Sequence, residues 1–381
     1  ETAVISGPAD PALTWVRRDG TRISGPDIRL NGKSRAVDVF GSGTFAHESI
    51  DAETGAPRRI DAAWTDRMAF DDVAGTVLCV GGVSARSPNA DGSIDTVTGD
   101  RLEITLTPLD ETGDEDDNDR LRFADVFGSE ADPARVESTR YAQAEAARDD
   151  EDADAGENQS DSERPIESLY RLDAPRIRFA AIDDRLNVPT AGRLFVLDRR
   201  PPDQDDSKDG DTQTGDADQG ANSPLKGGDG SRGSTLITWT GSMDYDRAVG
   251  RAVIREDARI INQPLGEPNP SEVIANTITA AFASAVRDAG GETAKAASGD
   301  LRWAIAEGDA LLRIENDREI LADRLIYDPE SLRVQALGEN GRSIEITDLA
   351  RGTKSRPRAV IWDLAADRIT ATNPGSIVAP E

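Results

Sequence analysis

Cysteine and histidine are almost missing from this chain: Cys79 and His47 are the sole representatives of their types. One cysteine excludes an intrachain disulfide and any zinc site built on several thiolates, and it neither demands nor excludes an oxidising compartment. One histidine, in "GTFAHESID" with no second His or Cys beside it, reads as a surface or strand-end residue; Ser49, Glu48 and Asp51 nearby make no triad. Aromatics are 4 % and hydrophobics 37 % of 381 residues, thin for one compact globule of this size. No apolar run approaches the roughly 18–20 residues that cross a bilayer as a helix. Positive charge is also short, with 44 Lys+Arg against 72 Asp+Glu and a net charge of −28. Such a chain repels nucleic-acid phosphates and bare anionic membranes, so no nucleic-acid partner is expected. The chain opens on Glu1, and "ETAVISGPADPALTWV" holds no export signal; the expectation is a processed or excised piece.

What the chain does have is a repeat. Its two methionines lie in "AAWTDRMAFDDVAGTV" (62–77) and "ITWTGSMDYDRAVGRA" (237–252). There Trp64, Thr65, Met68, Phe70, Asp71 and Gly75 fall in register on Trp239, Thr240, Met243, Tyr245, Asp246 and Gly250. A third copy, "LADRLIYDPESLRVQALGEN" (321–340), aligns Leu321, Asp323, Arg324, Leu325, Tyr327 and Asp328 with the same frame. Its kernel Asp-Arg-(Leu/Ile/Met) recurs at Asp100, Asp119, Asp184 and Asp367. Recurrence in one frame marks a structural unit that is used repeatedly.

Periodicity says what the unit is. Trp64, Met68 and Phe70 share one parity, as do Leu321, Leu325 and Tyr327, and the alternation resumes after a turn at Val77 and Cys79 or at Leu332, Val334 and Ala336. Period two means strands, and "DPES" (328–331) is good turn chemistry, so each copy is a β-hairpin. Residues 100–108, 175–183, 192–200, 342–349 and 358–364 alternate in the same way. Stretch 273–282 is expected as strand, whereas 131–150 has helical propensity with a weak apolar stripe. Segments 110–164 and 201–233 are acidic and poor in apolar residues, and are expected as disordered insertions. The expected organisation is hairpin repeats over 1–109, an acidic insertion over 110–164, and further repeats over 165–381 carrying the acidic loop 201–233.

No constellation for catalysis stands out. "VGGVSARS" (80–87) and "VFGSGTF" (39–45) lack the lysine and the strand-to-helix switch of a phosphate cradle. "DDSKDGDTQTGD" (205–216) spaces oxygens somewhat like a calcium loop but lacks flanking helices and the closing Glu. The expectation is therefore a non-enzyme with no cofactor and no metal.

Hairpins with one apolar face each must stack or fold over to bury it. The inner face would carry Trp64, Met68, Phe70, Trp239, Met243, Tyr245, Leu325 and Tyr327. Methionine is deformable and aromatics are broad, which suits acyl chains; the same residues also make an ordinary filled core. The unit "ADRLIYDPESLRVQALGE", with Ala322, Asp323, Leu325, Tyr327, Asp328 and Gly338, resembles the repeat of the organic-solvent-tolerance (OstA-like) family of periplasmic lipopolysaccharide-transport bridge proteins. Stretches 62–106, 237–282 and 358–371 fit it more loosely, and the acidic insertions depart from compact members. The resemblance implies an all-β fold, a twisted open β-jellyroll or folded-over sheet. It also implies periplasmic location, lipopolysaccharide or another amphipathic glycolipid as cargo in the groove, and edge-to-edge joining with other β-jellyroll envelope proteins. A structural β-solenoid or adhesin-like scaffold with a filled core is the alternative.

Overall fold

The computed structural model describes residues 2–6, 13–16, 20–50, 57–89, 92–107, 121–142, 164–200, 232–283, 301–314, 317–339 and 342–372. Among them the chain forms 27 antiparallel strands and no helix. They divide into a first unit, Glu1–Leu194 with Ser242–Ala248, and a second unit, Phe195–Gly241 with Val249–Glu381.

The first unit holds β1 (Thr2–Ser6), β2 (Leu13–Val16), β3 (Arg22–Gly25), β4 (Asp27–Asn31), β5 (Ala36–Phe40), β6 (Gly43–Ile50), β7 (Pro57–Trp64), β8 (Arg67–Asp71), β9 (Thr76–Pro88) and β10 (Ser93–Leu106). It continues with β11 (Leu121–Phe127), β12 (Ala134–Tyr141), β13 (Ile166–Ala174), β14 (Arg176–Ala180), β15 (Arg185–Val188), the start of β16 (Gly192–Asp198) and, past β17 (Gly233–Trp239), β18 (Ser242–Asp246). The long strands β9 and β10 pair along most of their length and each serves two neighbours. One half carries a first arm, in the order β1–β4–β5–β8–β9–β10–β11–β14–β15–β18. The other half carries a second arm, β2–β3–β6–β7–β9–β10–β12–β13.

The second unit repeats the plan with β17, β19 (Arg251–Pro264), β20 (Ser271–Phe282), β21 (Leu301–Ile314), β22 (Arg318–Asp328), β23 (Arg333–Leu337), β24 (Glu345–Asp348), β25 (Thr353–Ser355), β26 (Ala359–Asp363) and β27 (Arg368–Thr372). Its first arm runs β19–β20–β21–β22–β23–β26–β27 and its second β17–β19–β20–β21–β22–β24–β25.

Where a strand passes from one arm to the other, the ladder breaks in a bulge. Gly81 and Gly82 have positive φ opposite Thr65 and Asp66, whose N–H groups reach the carbonyls of Gly81 and Val80 at 2.7 and 3.1 Å. Gly81 has a φ of 83°, which residues with a side chain rarely adopt, and a Cβ there would sit 2.4 Å from the Asp66 carboxyl carbon, so glycine suits that corner. Glu256 and Asp257 take the same left-handed conformation opposite Thr240 and Gly241. Inner positions at the corner are small so that the arms can close: Gly43, over which the Trp64 indole lies, and the pairs Ala258–Ala275 and Ala310–Ala322.

At the far end from the corner, the arms end in tight turns. Arg35, Gly75, Asp184, Gly250, Leu332, Gly352 and Asp367 each close such a turn with φ between 45° and 66°. The aspartate that follows Phe70, Tyr327 or Trp362 in the repeat opens the turn. Asp71 accepts from Ala74 N at 2.8 Å, Asp328 from Glu330 N at 3.0 Å and Asp363 from Ala366 N at 3.0 Å. The recurring (Phe/Tyr)-Asp is thus an inward aromatic followed by an Asx-type turn.

Three sequence expectations change. Residues 121–127 and 134–141, placed in the acidic insertion, form β11 and β12, and no helix forms at 134–141. Their alternation is masked by arginines and acids on the outward parity, which pair across strands as described below. Leu321 does not share a face with Leu325 and Tyr327: it is 46 % exposed, while Ile320, Ala322, Leu325 and Tyr327 are buried. The irregularity at Asp323–Arg324, opposite Gly308–Asp309, inverts the parity upstream of it. The calcium-like spacing at 205–216 lies outside the described residues.

Candidate functional site

Register sorts the inner face of the first arm into two rows. In the first unit the row nearer the corner runs Ile28–Val39–Met68–Cys79–Leu102–Val126–Ile177, and Val188 pairs with Met243. All nine are buried, forming a floor. The row nearer the turns runs Leu30–Val37–Phe70–Val77–Ile104–Ala124–Phe179–Leu186–Tyr245. Apart from Val37 these side chains are only half-buried, although all point inward. Burial still lifts the Tyr245 phenol above its ordinary value, with Asp184 and Asp246 adding to it against Arg247.

The second arm faces them with the same gradient. Ile23 and Leu172 are buried on its inner face, while Ile60 and Tyr170, on the same parity but nearer the tips, are 44 % and 46 % exposed. In the turns that end the first arm, Val73 is 47 % and Ile182 64 % exposed. The first unit therefore has an apolar mouth: aromatic and aliphatic side chains aimed inward, above a sealed floor, with more apolar side chains on its lip. Scattered exposed hydrophobics need no explanation, but Ile60, Tyr170, Val73 and Ile182 all lie toward the tips of the two arms. The ion pairs at these tips, Arg35–Asp72, Arg185–Asp246 and Arg247–Asp184, each lie within the first arm.

Of the sequence-derived candidates, the structure brings Trp64, Met68, Phe70, Met243 and Tyr245 into the first unit. Trp64 fills the corner, Met68 and Met243 are floor, and Phe70 and Tyr245 are rim. Trp239, Leu325 and Tyr327 belong to the second unit, and all three are buried. Ile60, Tyr170, Phe179, Val73 and Ile182 were missed. The alternation of "RIRFA" marks Phe179 as inward, but nothing in a single sequence says that an inward residue stays open to solvent.

In the second unit the corresponding floor is Ile254–Ile278–Ala306–Leu325–Ala336–Val360, all buried. The outer row runs Ala252–Ala280–Ala304–Tyr327–Val334–Trp362–Ile369. Its three alanines are half-buried, while Tyr327, Val334 and Trp362 are buried.

The outward faces are held by shared carboxylates. Asp125 receives Arg176 and Arg178, and Asp173 receives Arg135, Arg171 and Arg193, at 2.7–3.0 Å. Burial raises the pKa of both acids, but the arginine hydrogen bonds outweigh it and hold them below the usual carboxylate range. Arg101 and Arg176 lie over the Phe127 ring at 4.0 and 5.0 Å, as Arg29 and Arg67 lie over Phe40 at 4.3 and 5.1 Å. His47 Nδ1 lies 2.9 Å from Thr21 Oγ1. Among the described residues no three His, Cys, Asp or Glu side chains are grouped to hold a metal. No helix among them is long and apolar enough to cross a membrane.

No protein-family model matches the chain, and no curated protein sequence matches it. Among solved structures it is similar to LptH of Pseudomonas aeruginosa, the LptA-homologous periplasmic component of a lipopolysaccharide transport device. The identity is 13 % and the TM-score 0.27, over 36 % of this chain and 82 % of that one.

Proposed function

We propose that this chain is a cell-envelope protein of the periplasm that holds or conducts lipopolysaccharide, or another amphipathic glycolipid, by its acyl chains in outer-membrane assembly. The observation that carries the reading is the mouth of the first unit, where Ile60, Tyr170, Phe70, Phe179 and Tyr245 face inward yet remain open. Each methylene moved from water into such a site gains roughly 0.8 kcal/mol, so an acyl chain of ordinary length is bound well by contact alone. Polar headgroups would stay outside, among the tip charges. Among the described residues β27 pairs with β26 alone, which supports joining to other β-jellyroll envelope proteins by strand addition.

A benzophenone amino acid at Phe70 or Tyr245 tests this in a lipopolysaccharide-bearing cell. Lipid adducts at both sites, and none at the outward-facing Leu78, are expected. Protein–protein adducts alone would sink the carrier reading. They would favour the second reading, a scaffold with a filled core, which draws its support from the burial of Trp64, Met68, Trp239 and Met243.

A further inference from the structure

We propose that the second unit's trough is stopped at its C-terminal end by Trp362, held there by a clasp between the two arms. This rests on the carrier reading above. Arg318 opens β22 at the tip of the second arm and shares the inward parity of Ile320 and Ala322. Asp367 closes the β26–β27 turn at the tip of the first arm. The two meet as a bidentate pair, Nη1 on Oδ1 and Nη2 on Oδ2, the latter at 3.0 Å. The guanidinium carbon stands 5.4 Å from the Trp362 ring centroid, and the Trp362 Nε1–H donates to Asp367 Oδ1 at 3.3 Å. A charged side chain aimed inward is costly unless it is paired, and this one is paired across the opening. Beneath it Trp362 is 3 % exposed and sits in the outer row between Val334 and Ile369. The same row in the first unit is open; here it is filled by Tyr327, Val334 and Trp362 and roofed by the clasp. Acyl chains therefore enter elsewhere and cannot pass this end.

The test uses the full chain, tritiated lauric acid as probe, and a benzophenone amino acid at Phe70 or at Ile369. In the otherwise unaltered chain, label is expected at Phe70 and only background at Ile369. With Trp362→Ala, label at Ile369 is expected to rise to the level at Phe70. Should that variant unfold, Asp367→Asn, which alters an exposed turn, is expected to give a smaller gain at the same position. Equal labelling of both positions without a further mutation, or no gain at Ile369 in a folded variant, overturns the stopper and leaves the carrier reading standing. No label at Phe70 overturns the carrier reading itself, and the stopper with it.

Discussion

The mouth of the first unit and the C-terminal end of the second are built from one repeat and differ in a few side chains. Phe70-Asp71 and Trp362-Asp363 occupy the same place, the last inward residue and the turn-opening aspartate. In the first unit the tip half of the opposite arm carries Ile60 and Tyr170, which lie open to solvent. Above Trp362 the opposite arm offers Arg318, which reaches Asp367 and shuts the gap. The fold supplies a two-armed trough, and the residues at the arm tips decide whether it is open. On the proposed function, cargo would meet the rim positions, while the floor and corners hold the shape.

The largest expected effect comes from the closed end. Trp362→Ala removes a buried indole and should destabilise the protein by about 3–5 kcal/mol in urea unfolding, whereas Phe70→Ala, half-exposed, should cost well under half as much. Equal costs would erase the distinction between the two ends.

Next comes the floor beneath the open mouth. Burial pushes the Cys79 thiol up to about 11. The folded state thus favours the protonated thiol; this contribution is complete below the unfolded value near 9.0 and is lost as pH rises through the folded one. Compared with Cys79→Ala, the natural chain should lose roughly 2–3 kcal/mol more stability between those limits, and thiol reagents should label Cys79 only on unfolding. Rapid labelling in the native state would mean that the mouth opens down to its floor.

A smaller effect is expected at the rim itself. Ile60→Glu combined with Tyr170→Glu should weaken lauric acid binding about tenfold or more, which is about 1.4 kcal/mol, while unfolding shifts by less than about 1 kcal/mol. The smallest is at the clasp. Asp367→Asn removes a carboxylate charge that is 64 % exposed, while Arg318 keeps Asp317 at 3.9 Å, and should change stability by no more than about 1 kcal/mol.

Much of the fold is legible in the residues. Alternation at 273–282, 175–183 and 358–364 marks strands that the structure contains, and the Asp after Phe70 or Tyr327 marks its turn. β11 and β12 are hidden because Arg135 and Asp125 read as solvated charge, when they serve as partners in buried carboxylate clusters formed with distant strands. Leu321 misleads because a bulge two residues on reverses its face, and bulges carry little local signal. The candidate site is legible as a face but not as an opening. Parity places Trp64, Met68 and Phe70 on one side; only tertiary packing makes them corner, floor and rim in turn.

The most direct test of the account is the calorimetric titration of the full chain with lauric acid at several temperatures. The account predicts saturable binding with a negative heat-capacity change, and loss of that binding when Phe70→Asp and Tyr245→Asp are combined in a chain that still folds. Identical isotherms for the natural and doubly substituted chains, or no saturable heat in either, would contradict it.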